Sequence, residues 1–105
     1  MFEHISIQQL VELKNKQVVN IVDIRDGQSF AAGHIPSATS LNNDNVAPFI
    51  AATNKETPLV VCCYHGNSSQ GAAQYFSEQN FKLVYSLDGG FEDWKISQPS
   101  DIEQG

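Results

Sequence analysis

Apolar residues near the amino terminus fall first at helical spacing and then at strand spacing. Ile7, Leu10, Val11 and Leu13 recur on one helical face after Ser6-Ile7-Gln8-Gln9. That tetrapeptide reads as a capping box, in which serine and glutamine side chains each accept the other's backbone N–H. A short amphipathic helix to about Asn15 is predicted. Val18 to Val22 is β-branched and nearly all apolar, the pattern of a strand covered on both faces. Asp23 and Arg25 fall at its carboxyl end. Asp26 is placed to cap a short helix through Phe30 and Ala32, which Gly33 ends before His34-Ile35-Pro36 turns the chain. Ala38 to Leu41 fits a brief strand.

The alternation continues. Asn42 to Asn45 supplies turn and cap residues for a helix from about Asn45 to Ala52, in which Pro48 is tolerated only in the first turn. Pro58 introduces the most apolar strand, Leu59 to Cys63, which leads through a polar loop into a helix beginning near Ser69 and marked by Ala72, Ala73, Tyr75 and Phe76. This helix is expected to end near Asn80. Leu83, Val84 and Leu87 indicate a last strand, closed by Asp88-Gly89-Gly90 and followed by a small helix bearing Phe91 and Trp94. From about Ser97 the chain is polar and is expected to form a mobile tail. Strands alternating with helices predict an α/β domain with a mostly parallel central sheet and helices on both faces, whose sites lie beyond the carboxyl ends of the strands. Cys63, Asp23 and Arg25 map to that edge.

Composition narrows the picture. A chain of 105 residues with 41% hydrophobic residues is expected to form one domain over residues 1–105. A net charge of −6 opposes nucleic acid or an anionic membrane as a partner, so an anionic substrate must be attracted locally. No apolar run approaches the roughly 20 residues needed to span a bilayer, and the first residues lack the features of a signal peptide. A cytoplasmic location is expected. Cys62 and Cys63 are the only cysteines, and sequence neighbours rarely pair, so free thiols in a reduced compartment are expected. Neither metal nor cofactor is expected, since there is no CxxC and the three histidines are scattered. Asn67-Ser68-Ser69 matches a glycosylation sequon, expected to be a chance match because secretion is not expected.

Side chains alternate along a strand, so Cys62 and Cys63 point to opposite sides and only one is expected to be the working thiol. Cys63 borders the loop, and a helix N-terminus lowers a thiol's pKa, whereas burial in apolar surroundings raises it and makes Cys62 inert. The competing reading is that both are small buried core residues. Tyr64, His65, Gly66, Asn67 and Ser68 form the loop, with Gly66 and Asn67 the residues most tolerant of positive φ. Wrapped around Cys63, its N–H groups would make an anion-binding nest, reinforced by the following helix dipole. Ser68 or Ser69 either caps that helix or hydrogen-bonds the sulfur. His65 either contacts substrate or stands exposed as a bystander. Arg25, the only arginine, is expected to brace the strand end through an ion pair with Asp23 or Asp26. His34, the Asp88-Gly89-Gly90 turn, Phe91 and Trp94 are expected to be structural.

Taken together, these residues resemble a rhodanese domain. Val22-Asp23-Ile24-Arg25-Asp26, Phe30 with Gly33-His34-Ile35-Pro36-Ser37-Ala38, the strand ending in Cys63 with its loop, and Leu87-Asp88-Gly89-Gly90-Phe91 with Trp94 occur in the family's order. The loop from Cys63 to Ser68, continuing through Gly71-Ala72-Ala73, is most similar to that of the bacterial single-domain members. The resemblance implies double displacement, in which Cys63 takes the outer sulfur of thiosulfate as a persulfide and passes it to a thiophilic acceptor such as cyanide, a thiol or a carrier protein. Many relatives have one or two loop arginines where this chain has Tyr64 and Ser68. That departure implies weak thiosulfate binding and a high KM, or another physiological donor. Cysteine phosphatases and arsenate reductases are a second class, but their signature needs arginine where Ser69 stands, six places after Cys63. The third is a non-enzymatic persulfide carrier, regulatory module or thiol redox sensor, with the same nucleophile and loop.

Overall fold

Ten elements follow one another in alternation: β1 (Glu3–Ile5), α1 (Ile7–Lys16), β2 (Asn20–Asp23), α2 (Gly27–Ala32), β3 (Thr39–Ser40), α3 (Val46–Ala52), β4 (Leu59–Cys62), α4 (Ser68–Ser77), β5 (Val84–Leu87) and α5 (Gly90–Ser97). The structure, a computed structural model, describes all 105 residues. The capping box is formed: Gln9 N–H donates to Ser6 Oγ at 3.1 Å, and Ser6 N–H donates to Gln9 Oε1 at 2.9 Å. Asp26 caps α2 by accepting the Ser29 N–H at 3.1 Å, and Gly33 closes it. Pro48 occupies the first turn of α3, where its missing N–H costs no helical bond.

The five strands pair in the order β1-β5-β4-β2-β3, and every pairing is parallel. β4 is the middle strand, and all four of its residues are buried. Alternation along it feeds two cores. Val60 and Cys62 join Leu10, Trp94 and Phe91 on one face, packed against α1 and α5. Leu59 and Val61 join Ala73, Phe76 and Phe81 on the other, with Phe49 and Ile50 of α3 against them. Truncating Phe76 or Trp94, both nearly solvent-free, removes an anchor worth about 3–5 kcal/mol.

Three expectations need correction. β1 was not expected: Glu3 and His4 leave it only one buried residue, the charged character of an edge strand. β2 starts two residues later than expected, because its ladder with β4 begins at Asn20 opposite Leu59, and Val18 is left 77% exposed. The segment after Ser97 lies against the domain and is not a loose tail. Asp101 O accepts from Trp94 Nε1 at 2.8 Å, Ile102 packs on the core, and Glu103 exchanges two backbone bonds with His34 at 2.8 and 2.9 Å.

Candidate active site

β4 delivers Cys63 to the carboxyl edge of the sheet, and α4 starts five residues later. Between them the chain turns back so that Gly66 and Ser69 N–H both donate to Cys63 Sγ, each at 3.2 Å. The sulfur thus takes the place that a capping side chain usually fills: Asn67 stands at the N-cap of α4 without a side-chain bond, and Ser69, in the first turn, finds its acceptor in the thiol. Gly66 makes this turn at φ +90°, where a Cβ would sit 2.9 Å from Gly89 N. Asn67, the other expected positive-φ residue, is right-handed at φ −92°.

Burial pushes the Cys63 thiol up, but the Ser69 hydroxyl and the N–H groups of Ser69, Gly66 and His65 outweigh it and hold its pKa below the ordinary value. Cys62 lies on the opposite face with no exposure, and burial together with the Asp23 charge raises its pKa far above an ordinary thiol's. The two neighbours therefore differ in the reactive species, the thiolate. In the native protein, iodoacetamide should alkylate Cys63 with a pH–rate inflection below that of a free cysteine and spare Cys62 until the protein unfolds. Equal labelling of both, read by peptide mass, would contradict this assignment.

The loop's outer side is braced by Arg25. Its Nε and Nη2 fork onto both Asp23 oxygens at 2.8–3.1 Å, and Nη2 also donates to Gly33 O at 2.7 Å. The guanidinium lies 4.3 Å from the Phe91 ring centre and 5.6 Å from that of Tyr64. Although burial opposes the charge, the Asp23 contacts raise the Arg25 pKa. Tyr64 OH donates to Asp26, whose carboxyl is thereby held down at about 2, with Ser29 adding further bonds. From the opposite side, α5 donates its first N–H groups to the loop, Phe91 to Cys63 O at 2.8 Å and Glu92 to Tyr64 O at 3.1 Å.

Gly90 permits that approach: at φ +60°, its Cβ would lie 2.5 Å from both Cys63 O and Tyr64 O. Gly90→Ala should cost about 2–4 kcal/mol by chemical denaturation, from left-handed strain plus the clash. Gly27→Ala, which meets nothing within 4 Å, is the control. Equal stability of the two variants would refute this account of Gly90.

Of the residues expected at the site, Cys63, Gly66 and Ser69 converge on the sulfur. Tyr64, His65, Asn67 and Ser68 are exposed on its rim, and the Tyr64 side chain reaches Asp26 and Ser29. Asp23 and Arg25 pair as expected, while Asp26 turns to Tyr64 and Ser29 instead. His34 stacks on Phe30 at 3.7 Å, a packing role. Two contributors were missed. One is the α5 N-terminus, for which Gly89-Gly90 was the available signal. The other is Ser86, fully buried in β5 and 2.7 Å from the Ser69 hydroxyl.

A family model described as "Rhodanese-like domain" matches residues 6–97. The chain belongs to the rhodanese family. It is 58% identical over 93 residues to a Shewanella oneidensis protein named "Thiosulfate sulfurtransferase GlpE", covering 89% of this chain and 92% of that one. It is 52% identical over 104 residues to the Pseudomonas aeruginosa protein of the same name, covering 99% and 94%. Among solved structures, the rhodanese-like domain of an Anabaena protein superposes with a TM-score of 0.86 at 22% identity, covering 100% of this chain and 81% of that one. A rhodanese-like domain protein from Staphylococcus aureus gives 0.81 at 24%, covering 99% of each. At these identities the structural likeness establishes the rhodanese fold. No helix is long and apolar enough to cross a membrane.

Proposed function

We propose that this chain is a thiosulfate sulfurtransferase in which Cys63 is the nucleophile and Tyr64, His65, Gly66, Asn67 and Ser68 form the substrate loop, with Ser69, Asp23 and Arg25 in support. The observation that carries the reading is the pair of N–H donors on Cys63 Sγ, in a chain closely related to proteins bearing that name. The Cys63 thiolate attacks the outer sulfur of thiosulfate. Its S–S bond breaks, the electron pair leaves with sulfite, and a Cys63 persulfide remains. A thiophilic acceptor then attacks the outer persulfide sulfur and the Cys63 thiolate departs, ready for another cycle. Cyanide would leave as thiocyanate, and a thiol or carrier protein as its own persulfide. Fixed N–H donors serve both half-reactions, because thiolate and persulfide are anions at nearly the same place.

The loop offers no cationic side chain, and the Arg25 fork is engaged by Asp23. Without a loop arginine or lysine, thiosulfate should be bound weakly and its KM should be high. The net charge of −6 supports small-molecule chemistry over nucleic acid or membrane binding. The free thiols suit a reducing cytoplasm.

Incubation with thiosulfate should release one sulfite per protein and leave it one sulfur atom heavier by intact mass; cyanide should then discharge that sulfur as thiocyanate. Failure to release sulfite at any thiosulfate concentration would sink the enzyme. A persulfide that forms but no acceptor turns over would make the chain a carrier.

A further inference from the structure

Tyr64 is a large aromatic residue on a polar loop, and it is 40% exposed. A phenol so placed is free to take all its hydrogen bonds from water. Instead its hydroxyl is tied to another element. It donates to Asp26 and lies 2.9 Å from Ser29 Oγ, which itself donates to Asp26 at 2.8 Å. Asp26 is in turn fixed as the N-cap of α2, where it accepts the Ser29 N–H at 3.1 Å. The Arg25 guanidinium stands 5.6 Å from the centre of the Tyr64 ring. The phenol therefore reaches from the chain leaving β4 to the helix entered from β2, and these two strands are neighbours in the sheet. A phenol has one proton, and here it is committed to Asp26, so Tyr64 has none to give a substrate.

The main chain of the same residue is held by a third element. Tyr64 O accepts the Glu92 N–H of α5 at 3.1 Å, next to the Phe91 N–H on Cys63 O at 2.8 Å. Tyr64 is thus fixed to α2 by its side chain and to α5 by its carbonyl. Two residues later the chain turns through Gly66 at φ +90° and returns an N–H to Cys63 Sγ at 3.2 Å. Glycine has the most backbone freedom of any residue, so the direction of that N–H depends on how firmly the chain before it is held. A donor held in advance costs no reorganisation when the anion forms. We propose that Tyr64 is a positioning residue, whose hydroxyl latches the entry of the loop to the start of α2 and so keeps the Gly66 N–H trained on the Cys63 sulfur.

The proposal rests on Cys63 as the working thiol, and two readouts follow the latch whether or not sulfur transfer occurs. Tyr64→Phe in the full chain keeps the ring beside Arg25 and removes only the hydroxyl. Iodoacetamide labelling of Cys63 is followed by mass across pH, and its inflection should move up by about half a pH unit, the low end for a lost hydrogen bond. Hydrogen exchange read residue by residue should show the Gly66 amide about three-fold less protected, with the Val60 and Val61 amides of β4 unchanged. With Asp26→Ala and Ser29→Ala both in place the hydroxyl has no partner, and Tyr64→Phe should then add nothing. An unmoved inflection, an unmoved Gly66 amide, or the same shift in both backgrounds would overturn the latch. Loss of protection throughout β4 would also overturn it, since the hydroxyl would then be supporting the whole fold. If the latch is borne out in a chain that releases no sulfite from thiosulfate, the positioning role stands and the sulfurtransferase reading alone fails.

Discussion

Cys63→Ser should abolish sulfur transfer, lowering thiosulfate turnover by at least about 10³-fold as expected for loss of a covalent nucleophile, while Cys62→Ala remains active. The two residues share a backbone and differ in what surrounds them. Serine at position 63 would keep the volume and could still accept the Gly66 and Ser69 N–H groups that now meet sulfur at 3.2 Å. Its hydroxyl, however, does not ionise near neutral pH and cannot carry sulfur as a persulfide, so the first half-reaction has no product. Cys62 is buried in the same core cluster as Val60 and Leu87, and its loss should cost stability of about 1 kcal/mol, not chemistry. Sulfite release from both variants at saturating thiosulfate decides the matter. Activity retained in Cys63→Ser and lost in Cys62→Ala would reverse the assignment.

Much of this was legible because local and global signals agree. The apolar run at β4 and the polar loop that follows it put a thiol ahead of a helix, and parallel sheet topology puts that point at the functional edge. The Asp23–Arg25 pair was legible for the same reason, two opposite charges two residues apart at a strand end. β1 was not, since three residues with two polar side chains carry no period and gain their strand state from pairing with β5. Nor was the binding of the last residues to α2 and α5, which rests on backbone bonds such as Gly105 N–H to Ala31 O at 2.8 Å. Backbone bonds between distant segments leave no mark in side-chain pattern. Ser86 escaped for a different reason: within Tyr-Ser-Leu it reads as an interruption of a strand, and only the position of Ser69 on the facing helix gives it meaning.

Arg25→Met should destabilise the fold by about 3–5 kcal/mol, the range for removing one partner of a buried ion pair. Arg25 is 6% exposed and Asp23 fully buried, so the carboxylate would be left without its two-pronged partner. Gly33 O would lose a donor as well, and the rings of Phe91 and Tyr64 would lose the cation between them. Arg25→Lys should recover only part of the loss, because an ammonium cannot bond both Asp23 oxygens and Gly33 O in the same plane. The decisive comparison is Asp23→Leu/Arg25→Met. If the penalty of the single variant comes from an unpaired charge, the double variant should be more stable than Arg25→Met, with urea midpoints giving the order. A double variant as unstable as the single one would instead place the cost in the lost ring and Gly33 contacts. In that case Arg25 would brace the loop by packing, and its charge would be incidental to the strand end that presents Cys63.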